Sequence, residues 1–82
     1  MTKEEITNYV QMEYAGHSVD SQKTRVYFKN GDRQLAIFLK KSQRSDLVKE
    51  NKWILHFLDS PQGISIINGN DIAELKSGSY PL

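Results

Sequence analysis

Two histidines, His17 and His56, are the side chains best suited to acid-base catalysis or metal binding, and they lie far apart in the sequence. A zinc site needs three or four Cys, His or acidic ligands at compact spacing, whereas this chain has no cysteine and scattered carboxylates. A catalytic serine needs an oriented base beside it, and none of the serines lies in a nucleophile-elbow context. We therefore expect no enzymatic activity, no metal and no cofactor, and we interpret His56 as a partly buried strand residue.

Basic and aromatic residues in the segment 24–40, TRVYFKNGDRQLAIFLK, form a more informative group. If Val26, Leu35 and Ile37 face a core, the alternate residues of this segment face outward together. The candidate binding face, with the basic loop that follows it, comprises Arg25, Tyr27, Lys29, Phe38, Lys40, Lys41 and Arg44. Aromatic rings among cations hold single-stranded nucleic acid by stacking and phosphate attraction. The same side chains would also anchor an acidic protein surface, and a merely solvated face or a subunit contact is a third interpretation.

Charge is distributed unevenly along the chain. The net charge is only +1, but residues 23–52 carry nine Lys or Arg against three acids, a net charge of +6 in that segment. The segments on either side are acidic. The distribution therefore indicates a basic central region that the overall balance conceals.

Two alternating strands joined at Asn30-Gly31 are predicted within the segment 24–40. Asn-Gly is the strongest two-residue hairpin signal, because both residues accept the positive φ of a type I′ turn. Such a turn pairs Lys29 with Asp32 and Val26 with Leu35. This register places the apolar residues of both strands on one face, as a half-buried antiparallel sheet requires.

The N-terminal segment predicts a helix over residues 3–15. Thr2 is followed three positions later by Glu5, which is the spacing of a capping box. Apolar residues recur at helical intervals from Ile6 onward and form one stripe. Gly16 accepts the left-handed conformation that ends many helices.

The second half of the chain begins with a polar connection over residues 41–52, in which Ser45 starts a helical turn. The apolar run WILHFL leaves open whether the segment 46–58 is helix or strand, and its β-branched and aromatic residues favour a strand. ISII then predicts a returning strand. NGND predicts the N-terminus of a short final helix, capped by Asn68 or Asn70 and ended by Gly78.

These elements predict the order α-β-β-β-β-α in a single domain, residues 1–82. Grouped strands between helices indicate the α+β class, with a small antiparallel sheet of about four strands and helices packed on one face. The predicted core consists of Ile6, Tyr9, Val10, Val26, Phe28, Leu35, Ile37, Leu39, Trp53, Leu55, Phe57, Ile64, Ile66, Ile72 and Leu75.

The sequence points to binding rather than to chemistry. We expect a small non-catalytic binding or regulatory domain that contacts another macromolecule, either a protein partner or a second copy of itself. The alternative is single-stranded nucleic-acid binding through the basic and aromatic face of the 24–40 hairpin. No small-molecule substrate is evident. No apolar run approaches the roughly 18 residues that span a bilayer, and no signal peptide is evident, so we expect a cytoplasmic protein.

Overall fold

The computed structural model describes residues 1–14, 23–39, 43–59 and 63–78 of the chain. In these ranges the architecture is mixed α+β, with a five-stranded antiparallel sheet and two helices. In chain order the elements are α1 (Lys3–Tyr14), β1 (Thr24–Phe28), β2 (Arg33–Phe38), α2 (Ser45–Lys49), β3 (Lys52–Phe57), β4 (Ile64–Asn68), a 3₁₀ turn (Gly69–Asp71) and β5 (Ile72–Ser77). The predicted stop at Gly16 lies outside the described residues.

The capping box at the start of α1 is confirmed. The backbone N–H of Thr2 donates to Oε1 of Glu5 at 2.8 Å, and the backbone N–H of Glu5 donates to Oγ1 of Thr2 at 3.2 Å. The Glu5 carboxylate accepts hydrogen bonds from Thr2, chiefly from its backbone N–H and next from its side chain, and these bonds lower the pKa of Glu5 below its ordinary 4.5. Two free N–H groups of the first turn are therefore satisfied locally, as the sequence spacing predicts.

The sheet has the strand order β4-β3-β2-β1-β5, so the last two strands lie at opposite edges. In a flat sheet, four strand spacings of about 4.8 Å would separate β4 from β5 by roughly 19 Å. The three residues of the 3₁₀ turn give four steps of at most about 3.6 Å, or roughly 14 Å. The sheet must therefore curl, which brings the end of β4 and the start of β5 together.

The β1–β2 hairpin is closed by three residues, Lys29 to Gly31, and not by the predicted two-residue type I′ turn. The N–H of Phe28 donates to the carbonyl of Asp32 at 2.8 Å, and Gly31 has a φ of +97°. Asn51 is the sole non-glycine residue with positive φ in the described part of the chain, so Asn30 lacks the φ that a type I′ turn requires. A three-residue loop that ends in a left-handed glycine is the next most common hairpin connection.

This loop shifts the predicted register by one residue, and the shift turns β2 over. Val26 pairs with Gln34, and Arg25 pairs with Leu35. Because side chains alternate along a strand, Ala36 and Phe38 share the face of Val26, and Leu35 and Ile37 lie on the opposite face. The prediction that Val26, Leu35 and Ile37 point the same way is therefore wrong.

The face that carries Val26, Ala36 and Phe38 is covered by α1, and we call it the helix-covered face. The hydroxyl of Tyr9 on α1 and the hydroxyl of Thr24 on β1 form a hydrogen bond of 3.1 Å. The buried core cluster consists of Ile6, Val10, Val26, Ala36, Phe38, Trp53, Leu55, Phe57, Ile72 and Leu75. Ala36 and Phe38 were missing from the predicted core, and the predicted members Ile64 and Ile66 are exposed. Leu35 is buried but lies outside the cluster.

Residues 46–58 form the end of a short helix followed by a strand, as the favoured interpretation has it. The C-terminal segment is different, because Ile72–Ser77 is a fifth strand paired with β1 and not a helix. Ile72 and Leu75 are both buried, and their three-residue spacing suggested a helix. In the structure the spacing results from a bulge, since Tyr27 pairs with Glu74 and Phe28 pairs with Ile72. The extra residue lets both side chains face the core from one strand.

Candidate functional site

The residues of the predicted basic and aromatic face do not come together in the structure. Phe38 is 1% exposed and lies in the core, with its ring edge-on to that of Trp53 at 6.0 Å between centroids. Arg25 and Tyr27 lie on the opposite face of the sheet. The expectation that Phe38 points outward with Arg25 and Tyr27 is therefore wrong, and its cause is the one-residue register shift of β2.

The remaining members of that predicted face are dispersed. Arg25 is only 7% exposed and donates from Nη2 to the carbonyl of Ser77 at 3.0 Å. Lys29 is exposed in the hairpin loop, and Arg44 forms a surface ion pair with Asp46 at 3.0 Å. Lys40 and Lys41 lie outside the described residues. Whether any of these side chains contacts a partner stays a prediction.

The face opposite α1 carries an aliphatic surface, and three of its four residues, Ile37, Ile64 and Ile66, were predicted to lie in the core. Cross-strand pairing places Ile37 beside His56, His56 beside Ile64, and Ile54 beside Ile66. We call the four isoleucines Ile37, Ile54, Ile64 and Ile66 the isoleucine surface. Ile64 is 61% exposed and Ile66 is 57% exposed, and Ile37 and Ile54 are half-buried. His56 lies in the middle of this surface, flanked across the strands by aliphatic side chains.

The β4 strand, at the edge of this surface, directs part of its backbone away from the sheet. The N–H of Phe57 donates to the carbonyl of Gly63, and the N–H of Gly69 donates to the carbonyl of Asn51. Both pairs follow the β3–β4 register. Since such pairs alternate in an antiparallel ladder, the N–H and C=O groups of Ile64 and Ile66 point outward. No described strand pairs with β4 on that outer side.

The two edges of the sheet differ in charge. Residues 63–70, GISIINGN, contain no charged side chain. The other edge strand, β5, carries Glu74 and Lys76, whose charged groups lie 3.8 Å apart, and the Lys76 ammonium lies 5.6 Å from the centroid of the Tyr27 ring. Charged side chains on an edge strand oppose pairing with other chains. The β4 edge lacks that protection.

A network of hydrogen bonds around Asn51 fixes the corner where β4 ends. Trp53 Nε1 donates to Asn51 Oδ1 at 2.8 Å, and Asn51 Nδ2 donates to the carbonyl of Met1 at 2.9 Å and to Asn70 Oδ1 at 3.2 Å. Asn51 has a φ of +60°, which asparagine tolerates better than most residues. Gly69 is buried against this side chain, so the start of the turn that follows β4 is held in place.

A cleft of about 730 Å³ opens between the hairpin loop and the end of β4. Phe28, Ile66 and Ile67 contribute its apolar lining, and Lys29 and Asp71 contribute charged groups. Ile66 thus belongs to the isoleucine surface and also lines the cleft. His56 is not among the residues that line it.

Within the described ranges no three His, Asp or Glu side chains lie close enough together to hold a metal ion. None of the helices in the same ranges is both long enough and apolar enough to cross a membrane. Comparisons of the chain with protein-family models, with curated proteins and with solved structures gave no match. The surface chemistry of the molecule is therefore the basis for assigning its function.

Sequence reasoning missed the isoleucine surface because ISII was taken as a buried strand. One signal in the sequence could have identified it. The run GISIINGN lacks both charge and proline, the residues that usually protect an exposed edge. A strand without these protective residues is expected to have either a covered edge or a partner.

Proposed function

We propose that the protein is a small non-catalytic domain that binds another protein by adding an extended strand to the β4 edge. The observation that carries this proposal is the coincidence of outward peptide groups and exposed side chains at Ile64 and Ile66. Strand addition of this kind takes its affinity from main-chain hydrogen bonds and its selectivity from side-chain contacts. The described residues supply both at the same edge.

The expected affinity follows from the free energies of side-chain burial, hydrogen bonding and association. Covering a side chain that is about three-fifths exposed, such as Ile64 or Ile66, contributes roughly 1–2 kcal/mol. Each new backbone hydrogen bond contributes about 0.5–1.5 kcal/mol net. Association itself costs about 4–15 kcal/mol in lost freedom of motion. The edge alone therefore supports weak binding, and a stable complex needs a partner that also covers Ile37 and Ile54.

Single-stranded nucleic-acid binding through the 24–40 hairpin has less support. Burial of Phe38 removes one of the two rings proposed to stack on bases. Tyr27 and Lys29 remain as the stacking and phosphate-binding candidates. Protein binding is favoured because it needs only groups that are exposed at the β4 edge.

Selection from a display library of extended peptides tests the proposal. We expect the selected peptides to alternate apolar residues and to lose binding to an Ile66→Lys variant. Ala73→Lys is the matched control, because it introduces the same charge at an exposed apolar residue of the other edge strand, β5. Binding that survives Ile66→Lys and Ile64→Lys, or a selection that yields no peptide, would contradict the proposed function.

A further inference from the structure

We infer that the strand that adds to β4 comes from a second copy of this chain. This inference rests on the proposed function and names the partner. Three features of the β4 edge support it: its neutrality, its symmetry about Ile66, and the presence of complementary edges on every copy of the protein.

Neutrality favours a homotypic contact. Two identical charged strands repel one another, and for that reason a strand that binds its own image must carry little charge. Residues 63–70 carry none, although 26% of the whole chain is charged. A foreign partner selected by charge complementarity would require charged residues on this edge.

The outward groups of β4 are also self-complementary. Ile64, Ile66 and Asn68 are spaced by two residues, with Ile66 in the middle of the strand. A two-fold axis at Ile66 pairs this residue with its own copy, and pairs Ile64 with Asn68 of the second copy. All the paired residues then present their N–H and C=O groups to each other, which is the arrangement of an antiparallel ladder.

Such pairing also buries the exposed apolar side chains. Ile54 and Ile66 are neighbours across β3 and β4, on the same face. A two-fold pair would join them to the same two residues of the other copy, giving a row of four isoleucines across one continuous sheet. Ile64 and Ile66, the two most exposed large hydrophobic residues of the described ranges, would both lie at this junction.

Each copy also brings the β5 edge, which no described strand covers. Pairing of β4 with β5 of the next copy is head-to-tail and produces a ring or a filament, whereas pairing of β4 with β4 closes at a dimer. Both arrangements place a second copy on β4. The mass of the assembly distinguishes them.

Sedimentation velocity of the 82-residue protein over a range of concentrations tests the inference. We expect a species at least twice the 9.4 kDa chain mass that dissociates on dilution. Ile66→Lys should weaken association at least tenfold per substituted copy, and by about a hundredfold in a two-fold pair, where each tenfold corresponds to 1.4 kcal/mol. Gln11→Lys, an exposed change of the same charge on α1, should leave the mass unchanged.

Two further measurements keep the test decisive. Circular dichroism establishes that Ile66→Lys is folded, and Ile66→Thr, which keeps a β-branched side chain, replaces it if it is not. In the wild-type protein, hydrogen exchange at the amides of Ile64 and Ile66 should slow as concentration rises. Loss of assembly in Ala73→Lys as well would identify β5 as the second edge, and the partner would still be a second copy.

A protein that stays monomeric up to its solubility limit overturns the inference. If that monomer still binds selected peptides through Ile66, the proposed function stands and the partner is foreign. If it binds none, both proposals fail. Self-association that persists in Ile66→Lys and in Ile64→Lys also overturns the inference, since the contact would then lie elsewhere.

Discussion

Gly69→Ala should destabilise the domain strongly, although this glycine has no unusual backbone conformation. Glycines with positive φ in the described ranges are Gly31, Gly63 and Gly78, so Gly69 is not required for its φ. An added Cβ would lie 2.2 Å from Oδ1, 2.6 Å from Cγ and 2.7 Å from Nδ2 of Asn51. These distances are far inside van der Waals contact. The Asn51 side chain must therefore move.

The loss of stability follows from the hydrogen bonds that break when the Asn51 side chain moves. The Asn51 side chain makes three hydrogen bonds, to Trp53, Met1 and Asn70. At about 0.5–1.5 kcal/mol for each bond, the loss is roughly 2–4 kcal/mol, and it leaves the buried Trp53 Nε1 without an acceptor. In a domain of this size 1 kcal/mol shifts the melting temperature by about 4–8 °C. We expect Gly69→Ala to melt at least about 10 °C below the wild type.

A double-mutant cycle isolates the contact. Asn51→Gly removes the side chain that the new Cβ meets and suits the positive φ at that position. In that background Gly69→Ala should cost less than about 1 kcal/mol, which gives a large coupling energy between the two sites. Gly63→Ala is the steric control, because no atom lies within 4 Å of its added Cβ and only its φ of +67° is strained. Thermal melting within about 3 °C of the wild type for Gly69→Ala would refute the proposed packing.

Other substitutions test the hairpin, the cap and the alternative function. Phe38→Ala should cost about 3–5 kcal/mol in chemical denaturation, because the ring is in the core; a cost below about 1 kcal/mol would restore the predicted outward facing. Gly31→Ala should cost about 1–2 kcal/mol because the φ of Gly31 is positive, and a cost below about 0.5 kcal/mol would contradict the left-handed glycine that ends the observed loop. The stability that ionised Glu5 contributes should be complete above its unfolded pKa near 4.5 and should disappear as pH falls through the lowered folded pKa. The difference in melting temperature between wild type and Glu5→Gln should therefore shrink in acid, and a constant difference would contradict the cap. If the hairpin binds single-stranded nucleic acid, fluorescence anisotropy should show Tyr27→Ala weakening binding with no change in salt slope, and absence of binding at low salt would remove that function.

Local signals in the sequence determined several elements of the fold. The capping box at Thr2 and Glu5, the alternation through β1, and the β-branched and aromatic composition of β3 each specify an element from residues that are close in the chain. Short-range hydrogen bonds and side-chain alternation depend on neighbours in sequence, so pattern alone is sufficient there. The α+β class follows from the same signals.

Tertiary structure decided which face each strand presents. One residue in the hairpin loop separates a two-residue turn from the observed three-residue turn, and that difference moves Phe38 from solvent to the core. The bulge opposite Phe28 likewise gives Ile72 and Leu75 a helical spacing on a strand. Facing depends on register, and register depends on pairing between strands, which no single segment encodes.

For the candidate site as well, the sequence determined some features and the tertiary structure decided the others. The sequence located basic and aromatic residues correctly, but their grouping relied on the facing of β2, and the structure disperses them. The isoleucine surface became visible only when the strand order placed β4 at an edge and the register placed Ile64 and Ile66 on the face opposite α1, because an antiparallel sheet can leave one of its faces to solvent. The sequence by itself therefore determined the composition of the strands, and only the tertiary structure decided which of them faces outward, since exposure is set by neighbours distant in the chain.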